Sequence, residues 1–497
     1  MSTQQETAQS FGANSWLVDE MYEHYRADPN AVSEAWQEFF SDYKSNGPTP
    51  SATGANGTAP SAPPVSAPPM SAPPMSAPVA ALAPVVATAA PAVGAPAAAD
   101  EPLGEPIRGA GAAIAANMER SLTVPTATSF RNVPAKLLEV NRKVINGYRT
   151  RAGQSKISFT HIIGYAIARA IGDTVPNMNN SFVEGSDGKP RIIRNSGVNI
   201  GLAVDVSKSD GSRTLVVPVL RNANTLDFDE FLAGYEEIIR KVKNNKLTIA
   251  DFQGATISLT NPGTIGTVQS VPRLMPGQGV IVGVGSIDYP AEFQGTDERT
   301  LGSLGVSKVV TITSTYDHRI IQGAESGTFL KQIHELLMGE HGFYERLFSD
   351  LGVPYEAVKW RTDVNPINSE EAMLHKQMQV ANVIRVHRVR GHLIADLDPL
   401  QWKQPMMPKE LDPATYGLTI WDLDREFLTG GVGGVEKQKL GSLLGVLRDA
   451  YCRTIGIEYM HIQDTDEQRW VQSQVEGVHH TFTKDEKRRI LERVNAA

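Results

Sequence analysis

The spacing of apolar side chains changes three times along this 497-residue chain. In residues 10–44, apolar side chains recur at helical spacing on both sides of Asp28-Pro29-Asn30, which predicts two short amphipathic helices. A segment of roughly thirty residues is too short for an independent core. We therefore expect residues 1–44 to be a helical docking segment that packs either on its own chain or on a partner.

The next segment has no charged residue between Lys44 and Asp100, and it repeats Ser-Ala-Pro-Pro units from Ser61 to Met75. Alanine and proline offer little apolar area, and proline favours extended polyproline II. We expect residues 45–103 to be a disordered Ala/Pro-rich linker. The uncharged stretch at 78–99 is mostly alanine interrupted by proline, so we interpret it as part of this linker and not as a membrane span.

Helix and strand patterns alternate over residues 104–363 and predict an α/β domain with a large mixed sheet. Helical spacing predicts helices at 114–118, 135–145, 159–171 and 228–243. Apolar runs predict strands at 198–206, 215–220, 255–259, 280–284 and 309–315. After Asp363 the strand signal ends. Leu374, Met378, Ala381 and Ile384 are at helical spacing, as are apolar residues in 439–451 and 484–494, so we expect residues 364–497 to be helical.

Charge and cysteine content restrict the possible functions. The formal charge of −8 argues against bulk nucleic-acid binding, which needs a basic surface. The single cysteine, Cys452, cannot form an intramolecular disulfide or a Cys-rich zinc site, and it suits a reducing cytosol. Residues 1–14 lack the basic and apolar parts of a secretory signal. We therefore expect a cytoplasmic protein that binds neither membrane nor nucleic acid.

The sharpest local motif runs from Asp317-His318-Arg319 to Gln322-Gly323-Ala324, between a predicted strand and a predicted helix. By itself, a histidine at a strand end is more often structural than catalytic. Further motifs occur in order along the chain: Pro-Ile-Arg at 106–108, Phe-Thr-His-Ile-Ile at 159–163, Asn-Ile-Gly-Leu-Ala at 199–203, Leu-Val-Val-Pro-Val at 215–219 and Ser-Leu-Thr-Asn-Pro-Gly at 258–263. Together these motifs resemble the catalytic core of the 2-oxoacid dehydrogenase acyltransferases, which implies a chloramphenicol acetyltransferase-like α/β fold.

The resemblance implies a role for each residue of the motif. A thiol with a pKa near 8.5 is only about 3% ionised at neutral pH, so acyl transfer to a thiol needs a base. The resemblance assigns this role to His318, and it assigns hydrogen-bond donation to the oxyanion to Thr260, with Asn261 in support. Without the resemblance, the Thr260 hydroxyl would be interpreted as the cap of a turn. In this family the two residues meet across neighbouring subunits of a trimer, so a homo-oligomer is implied.

One residue departs from the family pattern, because Gln322 stands where these acyltransferases usually have aspartate. Glutamine can form hydrogen bonds but cannot carry the negative charge of an ion pair. We therefore assign Gln322 a supporting role of undetermined kind. It also favours a second interpretation, in which the core is a non-catalytic, oligomerising scaffold for a decarboxylase.

The two ends of the chain carry a second resemblance. Residues 10–44 resemble the N-terminal segment of 2-oxoglutarate decarboxylase components, and residues 390–400 and 418–423 resemble the helical region before their thiamine domain. An acyltransferase core between these parts resembles the fused actinobacterial-type 2-oxoglutarate dehydrogenases. This implies succinyl transfer between dihydrolipoamide and coenzyme A in a 2-oxoglutarate dehydrogenase complex of the tricarboxylic acid cycle.

Two motifs of such complexes do not occur in these 497 residues: the Gly-Asp-Gly of thiamine enzymes and the Asp-Lys-Ala of lipoyl attachment. We therefore expect thiamine diphosphate and magnesium to act only in a longer parent enzyme, of which residues 364–497 are a truncated beginning. A third interpretation describes the chain by that parent, a thiamine-dependent 2-oxoglutarate dehydrogenase or decarboxylase. The expected partners are a lipoyl-bearing acyltransferase protein and dihydrolipoamide dehydrogenase.

Three weaker motifs have plain interpretations. Gly283-Val284-Gly285 is expected to mark close strand packing and not a dinucleotide site. His479-His480 is expected to be a solvated turn, and we expect no metal site. The basic residues among 385–392 are expected to be solvated or ion-paired more than phosphate-binding.

Overall fold

The computed structural model describes residues 110–207, 213–364, 369–398, 406–478 and 482–496, together with isolated positions at 22, 25, 26, 32, 37, 40, 107, 400 and 402. The expected linker over 45–103 lies outside the described residues. Of the expected docking segment, Val32 and Phe40 are buried and belong to the same contiguous apolar cluster as the main core. At these two positions the segment packs on its own chain.

Within the described residues, the main sheet has six strands in the order β1-β10-β9-β8-β4-β7. Strand β8 pairs in parallel with both of its neighbours, and the other pairings are antiparallel. The strands of this sheet are β1 (Thr126–Pro134), β4 (Ile200–Leu202), β7 (Val219–Leu220), β8 (Ile257–Thr260), β9 (Val280–Asp288) and β10 (Val309–Asp317). The expected α/β class with a large mixed sheet is confirmed.

Two of the expected strands are divided by the structure. Residues 198–206 separate at Ala203 into β4 and β5, and β5 leaves the main sheet to form a hairpin with β6. Residues 215–220 separate into β6 and β7 at Pro218, whose nitrogen cannot donate to a strand ladder. The strands outside the main sheet are β2 (Asn180–Glu184), β3 (Pro190–Arg194), β5 (Val204–Ser207) and β6 (Arg213–Val216).

Helices cover the sheet, and their local sequences explain where several begin. Ser158 caps the helix that starts at Phe159, and Asp227 with Glu230 forms a capping box for the helix that starts at Phe228. The helices up to residue 350 are α1 (Ala110–Ser121), α2 (Lys136–Arg151), α3 (Phe159–Asp173), α4 (Phe228–Lys243), α5 (Glu298–Leu304), α6 (Gly323–Leu337) and α7 (Phe343–Asp350). The Tyr165 ring on the largely buried α3 packs against Phe228, Phe231 and Phe343.

The C-terminal segment is helical, as expected, apart from two three-residue strands, β11 (Glu426–Leu428) and β12 (Lys437–Lys439). Its helices are α8 (Ser369–Arg390), α9 (Leu440–Tyr451), α10 (Thr465–Val475) and α11 (Lys484–Ala496). Leu374 and Met378 are exposed on α8, whereas Val380, Val383 and Ile384 are buried. The spacing thus predicted the helix correctly, but of its four apolar residues only Ile384 lies on the buried face.

Side chains join this C-terminal segment to the α/β core. Lys136 pairs with Asp424, and Arg151 Nη1 lies 2.9 Å from Asp449 Oδ1. The Trp421 indole donates to the carbonyl of Arg361 at 2.6 Å. The segment is therefore packed on the α2 side of the core. Within the described ranges, no helix is long and apolar enough to cross a membrane.

Candidate active site

His318 directly follows β10, the most continuously buried strand of the sheet, yet it is itself exposed. Its backbone N–H donates to Pro125 O at 2.9 Å, and its ring Nδ1 lies 3.1 Å from Ile321 O. Because a carbonyl oxygen only accepts hydrogen bonds, a neutral ring in this position carries its proton on Nδ1. Nε2 then presents a lone pair, which is the state that a general base needs.

The turn that carries His318 is held by its neighbours. Asp317 is buried and accepts two side-chain hydrogen bonds from Arg319, at 2.9 Å from Nε and 2.6 Å from Nη2. The Arg319 guanidinium lies 3.6 Å from the centre of the Phe182 ring. Asp317 O also accepts from the backbone N–H groups of Ile320 and Ile321. Asp317 is therefore a positioning residue whose charge is neutralised by Arg319.

Gln322 lies at the N-cap of α6, four residues after His318, and is exposed. Its backbone N–H donates to Glu325 Oε2 at 2.7 Å, and Glu325 Oε1 also accepts from Asn177 at 2.6 Å. The position is thus a helix start, where aspartate is a preferred residue and glutamine is not.

Thr260 ends β8 and is half-buried, and its hydroxyl has no hydrogen-bond partner in the described part of the chain. The following residue, Asn261, donates from Nδ2 to Thr160 Oγ1 at 2.7 Å, which anchors the loop to the first turn of α3. A side chain at Gly263 would overlap the backbone of Gly285, so this loop lies directly against β9. The Thr260 hydroxyl is therefore available to donate from a fixed loop.

One chain does not bring Thr260 and His318 together. Thr260 is level with Gly283 on β9, and Gly283 is level with Thr313 on β10. His318 lies five residues beyond Thr313, which corresponds to about 17 Å along the strand, and two strand spacings add about 10 Å across the sheet. Each chain thus holds two candidate residue pairs apart, His318 with Gln322 and Thr260 with Asn261, and we call these pairs the half-sites.

Thr160 and Arg319 hold the two half-sites, and neither was predicted as a site residue. Both lie inside motifs that carry the family resemblance, Phe-Thr-His-Ile-Ile and Asp-His-Arg. Their place in these motifs was the signal that the sequence offered. Their hydrogen bonds could not be predicted, because Thr160 bonds to a residue distant in sequence and Arg319 bonds within a tight turn.

The weaker motifs are structural in the described residues. Side chains at Gly283 and Gly285 would overlap Thr313 and Val268, which confirms close packing. Arg388 pairs with Glu476 and Arg390 with Glu410, as the ion-pair interpretation expected. The pair His479-His480 lies outside the described residues.

Burial also makes Cys452 unsuited to nucleophilic chemistry, because it raises the pKa of the thiol to about 12. Among the residues that the structure describes, no group of three His, Cys, Asp or Glu side chains could hold a metal ion.

Comparison with known families bears directly on these half-sites. Residues 100–341, which include both, match the model of the 2-oxoacid dehydrogenases acyltransferase catalytic domain. Over these residues the chain is similar to the catalytic domain of that acyltransferase family. Residues 7–47 match the 2-oxoglutarate dehydrogenase N-terminus, so the expected combination of an acyltransferase core with a 2-oxoglutarate dehydrogenase segment is confirmed.

Relatives extend the similarity beyond the acyltransferase domain. A multifunctional 2-oxoglutarate metabolism enzyme from Mycobacterium sp. (strain JLS) is 47% identical over 528 residues, covering 98% of this chain and 41% of the relative. A 2-oxoglutarate dehydrogenase E1/E2 component from Corynebacterium glutamicum is 48% identical over 499 residues, covering 99% of this chain and 40% of the relative. The chain therefore spans about two fifths of the length of these relatives. The similarity over nearly the whole chain confirms the resemblance to the fused enzymes.

Solved structures of acyltransferases cover the same domain. A probable dihydrolipoamide acetyltransferase from Listeria monocytogenes is 26% identical, covers 48% of this chain and 95% of that chain, and has a TM-score of 0.40. The cubic core of a pyruvate dehydrogenase multienzyme complex is 28% identical, covers 45% and 86%, and has a TM-score of 0.38.

Proposed function

We propose that the chain transfers a succinyl group between a dihydrolipoamide thioester and coenzyme A, as part of a 2-oxoglutarate dehydrogenase complex of the tricarboxylic acid cycle. The observation that carries this proposal is His318, an exposed imidazole whose Nδ1 is held by Ile321 O and whose Nε2 is available as a base. It lies in a domain of an acyltransferase family.

In the proposed reaction, His318 Nε2 takes the proton of the coenzyme A thiol while the sulfur attacks the succinyl thioester carbonyl. The tetrahedral oxyanion accepts a hydrogen bond from the Thr260 hydroxyl, with Asn261 holding the loop. When the intermediate collapses, the C–S bond to the dihydrolipoyl group breaks, and the leaving thiolate takes the proton back from the imidazolium. Succinyl-coenzyme A and free dihydrolipoamide result, so atoms and charge balance.

The two half-sites lie apart on one sheet, so this mechanism needs more than one copy of the chain. We propose that Thr260 of one copy meets His318 of the next in a trimeric contact. The lipoyl group would come from a lipoyl-bearing acyltransferase protein, and dihydrolipoamide dehydrogenase would reoxidise it. Thiamine diphosphate and magnesium would act in the longer parent, as a 2-oxoglutarate dehydrogenase or decarboxylase, and the site of action would be the cytoplasm.

The experiment that tests the proposal measures succinyl-coenzyme A formation from succinyl-dihydrolipoamide and coenzyme A. Replacing His318 with alanine is expected to reduce kcat by about 10² to 10⁴. The matched control is His375→Ala, because His375 is an exposed histidine on α8 outside both half-sites. The control is expected to retain the native rate.

A second candidate function is the oligomerising scaffold, which Gln322 favours because it cannot carry the charge of the family's usual aspartate. No activity in the native chain, or no loss of activity in the His318→Ala chain, would support the scaffold over catalysis by His318. Carbon dioxide release from 2-oxoglutarate with added thiamine diphosphate and magnesium is expected to be absent in this chain, since we assign that step to the longer parent.

A further inference from the structure

A cavity of about 500 Å³ lies between the acyltransferase domain and the C-terminal segment. One wall comes from α2 and from residues 356–361, and the other comes from residues 412–424 and α9. Its volume is typical of small-molecule sites. None of its lining residues belongs to the half-sites of His318 or Thr260, so the succinyl transfer proposed above makes no use of it.

The cavity surface combines apolar and basic side chains. Its apolar part is provided by Val140, Val144, Leu418, Ile420, Leu423 and Leu444. Lys143, Arg361 and Arg448 also line it, and none of these three has an ion-pair partner among the described residues. An apolar body with an acidic group would satisfy both parts of this surface.

Arg448 is the most informative of these basic residues. Its Nε is fully buried and has no hydrogen-bond partner in the described part of the chain. The guanidinium lies 4.8 Å from the centre of the Tyr355 ring, and burial lowers the pKa of Arg448. Burying a cation without an anion is unfavourable, so such a group is normally paired. Here the cavity beside it leaves room for the missing anion.

Two of the four acidic residues of the lining are ion-paired. Asp424 pairs with Lys136, Asp449 pairs with Arg151, and Asp412 accepts a hydrogen bond from the Ala414 backbone at 2.9 Å. Glu356 is exposed and without an ion-pair partner in the described residues. Three cations of the lining then lack an ion-pair partner against two carboxylates, Glu356 and Asp412, so the lining carries an excess of positive charge that an anion would balance.

We propose that this cavity binds a small phosphate monoester with an apolar or aromatic body, its phosphate on Arg448 and its body against the apolar residues of α2 and α9. The ligand touches both walls, so its binding holds the acyltransferase domain and the C-terminal segment together. By linkage, it stabilises the folded chain in proportion to its occupancy.

The test titrates the 497-residue chain with phenyl phosphate by isothermal titration calorimetry and follows thermal unfolding in parallel. Saturable binding at one site per chain and a higher Tm are expected. Inorganic phosphate and phenol, which each carry half of the proposed chemistry, are expected to bind at least about tenfold more weakly. Equal binding of inorganic phosphate would refute the proposed ligand class.

Two substitutions localise the binding. Arg448→Met is expected to lower phenyl phosphate affinity at least about tenfold without lowering stability, because replacing an unpaired buried cation by an apolar side chain of similar length is neutral or stabilising. Gly445→Leu is expected to abolish binding by filling the cavity, since a Cβ at Gly445 meets no atom within 4 Å.

Arg240→Met, on the exposed face of α4, is the control and is expected to bind as the native chain does. No binding to the native chain, or native affinity in both the Arg448 and Gly445 variants, would overturn the proposal. If Arg448→Met does not fold, the Gly445 variant alone decides. Succinyl transfer measured on the same samples separates this result from a failure of the acyltransferase proposal.

Discussion

Asn261 Nδ2 lies 2.7 Å from Thr160 Oγ1, and this hydrogen bond ties the loop after β8 to the first turn of α3. Thr260 immediately precedes this anchor, so the anchor determines where the Thr260 hydroxyl points. Neither Asn261 nor Thr160 needs to touch substrate for this effect. The relationship makes both residues positioning residues for the proposed oxyanion contact.

Replacing Thr160 with valine is therefore expected to reduce kcat for succinyl transfer about tenfold, with little change in KM, because an interaction formed in the transition state is weakened. Steady-state kinetics checks this. Thr160→Ser keeps the hydroxyl and is expected to restore most of the rate. If valine and serine give the same kcat, the hydrogen bond does not position Thr260.

The separation of the half-sites predicts complementation between two defective chains. Mixed trimers of His318→Ala and Thr260→Val chains contain some contacts in which both functional side chains are native. Random mixing in equal amounts is expected to restore on the order of one quarter of native activity, since each contact needs the correct chain on both sides. The assay compares chains mixed after dissociation with chains mixed while assembled. A rate no higher than that of either variant alone would show that the site is not shared.

Gln322 offers a prediction about stability. Aspartate is a stronger helix N-cap than glutamine, so Gln322→Asp is expected to stabilise the chain by about 0.5 to 1 kcal/mol. Urea unfolding measures the change. Gln322→Ala is the comparison and is expected to be close to neutral, because the described hydrogen bond of Gln322 comes from its backbone. Destabilisation by aspartate would mean that its charge is repelled at this helix start.

A buried histidine in α8 predicts acid sensitivity. Burial lowers the pKa of His387 to about 4, although its Nδ1 contacts Val383 O at 2.8 Å. The unfolded chain binds this proton near pH 6.5 and the folded chain only near pH 4, so stability falls as the pH drops through this window. The loss is on the order of 3 kcal/mol at the acidic end.

His387→Leu is expected to reduce that loss, which urea unfolding at pH 7.5 and pH 5 measures. His375→Leu is the control, because His375 is exposed on the same helix. An unchanged pH dependence in the His387 variant would contradict the prediction.

Much of this architecture follows from local sequence. Phe228–Lys243 was predicted with its observed bounds because its apolar spacing, Asp227 cap and basic last turn all indicate the same helix. The acyltransferase motifs likewise identified His318 and Thr260. Their roles remain predictions, because the contact between them requires a second copy of the chain.

Other features could not be predicted because they depend on tertiary structure. Strand β1 is rich in Thr, Ser and Asn, and only its pairing with β10 along the sheet edge makes it a strand. The division of 198–206 at Ala203 depends on pairing partners, which periodicity does not report. The cavity beside Arg448 needs two segments about 300 residues apart to pack, as the contact between Arg151 and Asp449 shows.

Under the proposed mechanism, the separation of Thr260 and His318 within one chain makes activity depend on protein concentration. An isolated protomer would be inactive, and succinyl transfer would be measurable only when copies of the chain associate. Specific activity should therefore fall on dilution, more steeply than for an enzyme that is complete in each chain. A newly synthesised copy would remain inactive until it associates with other copies.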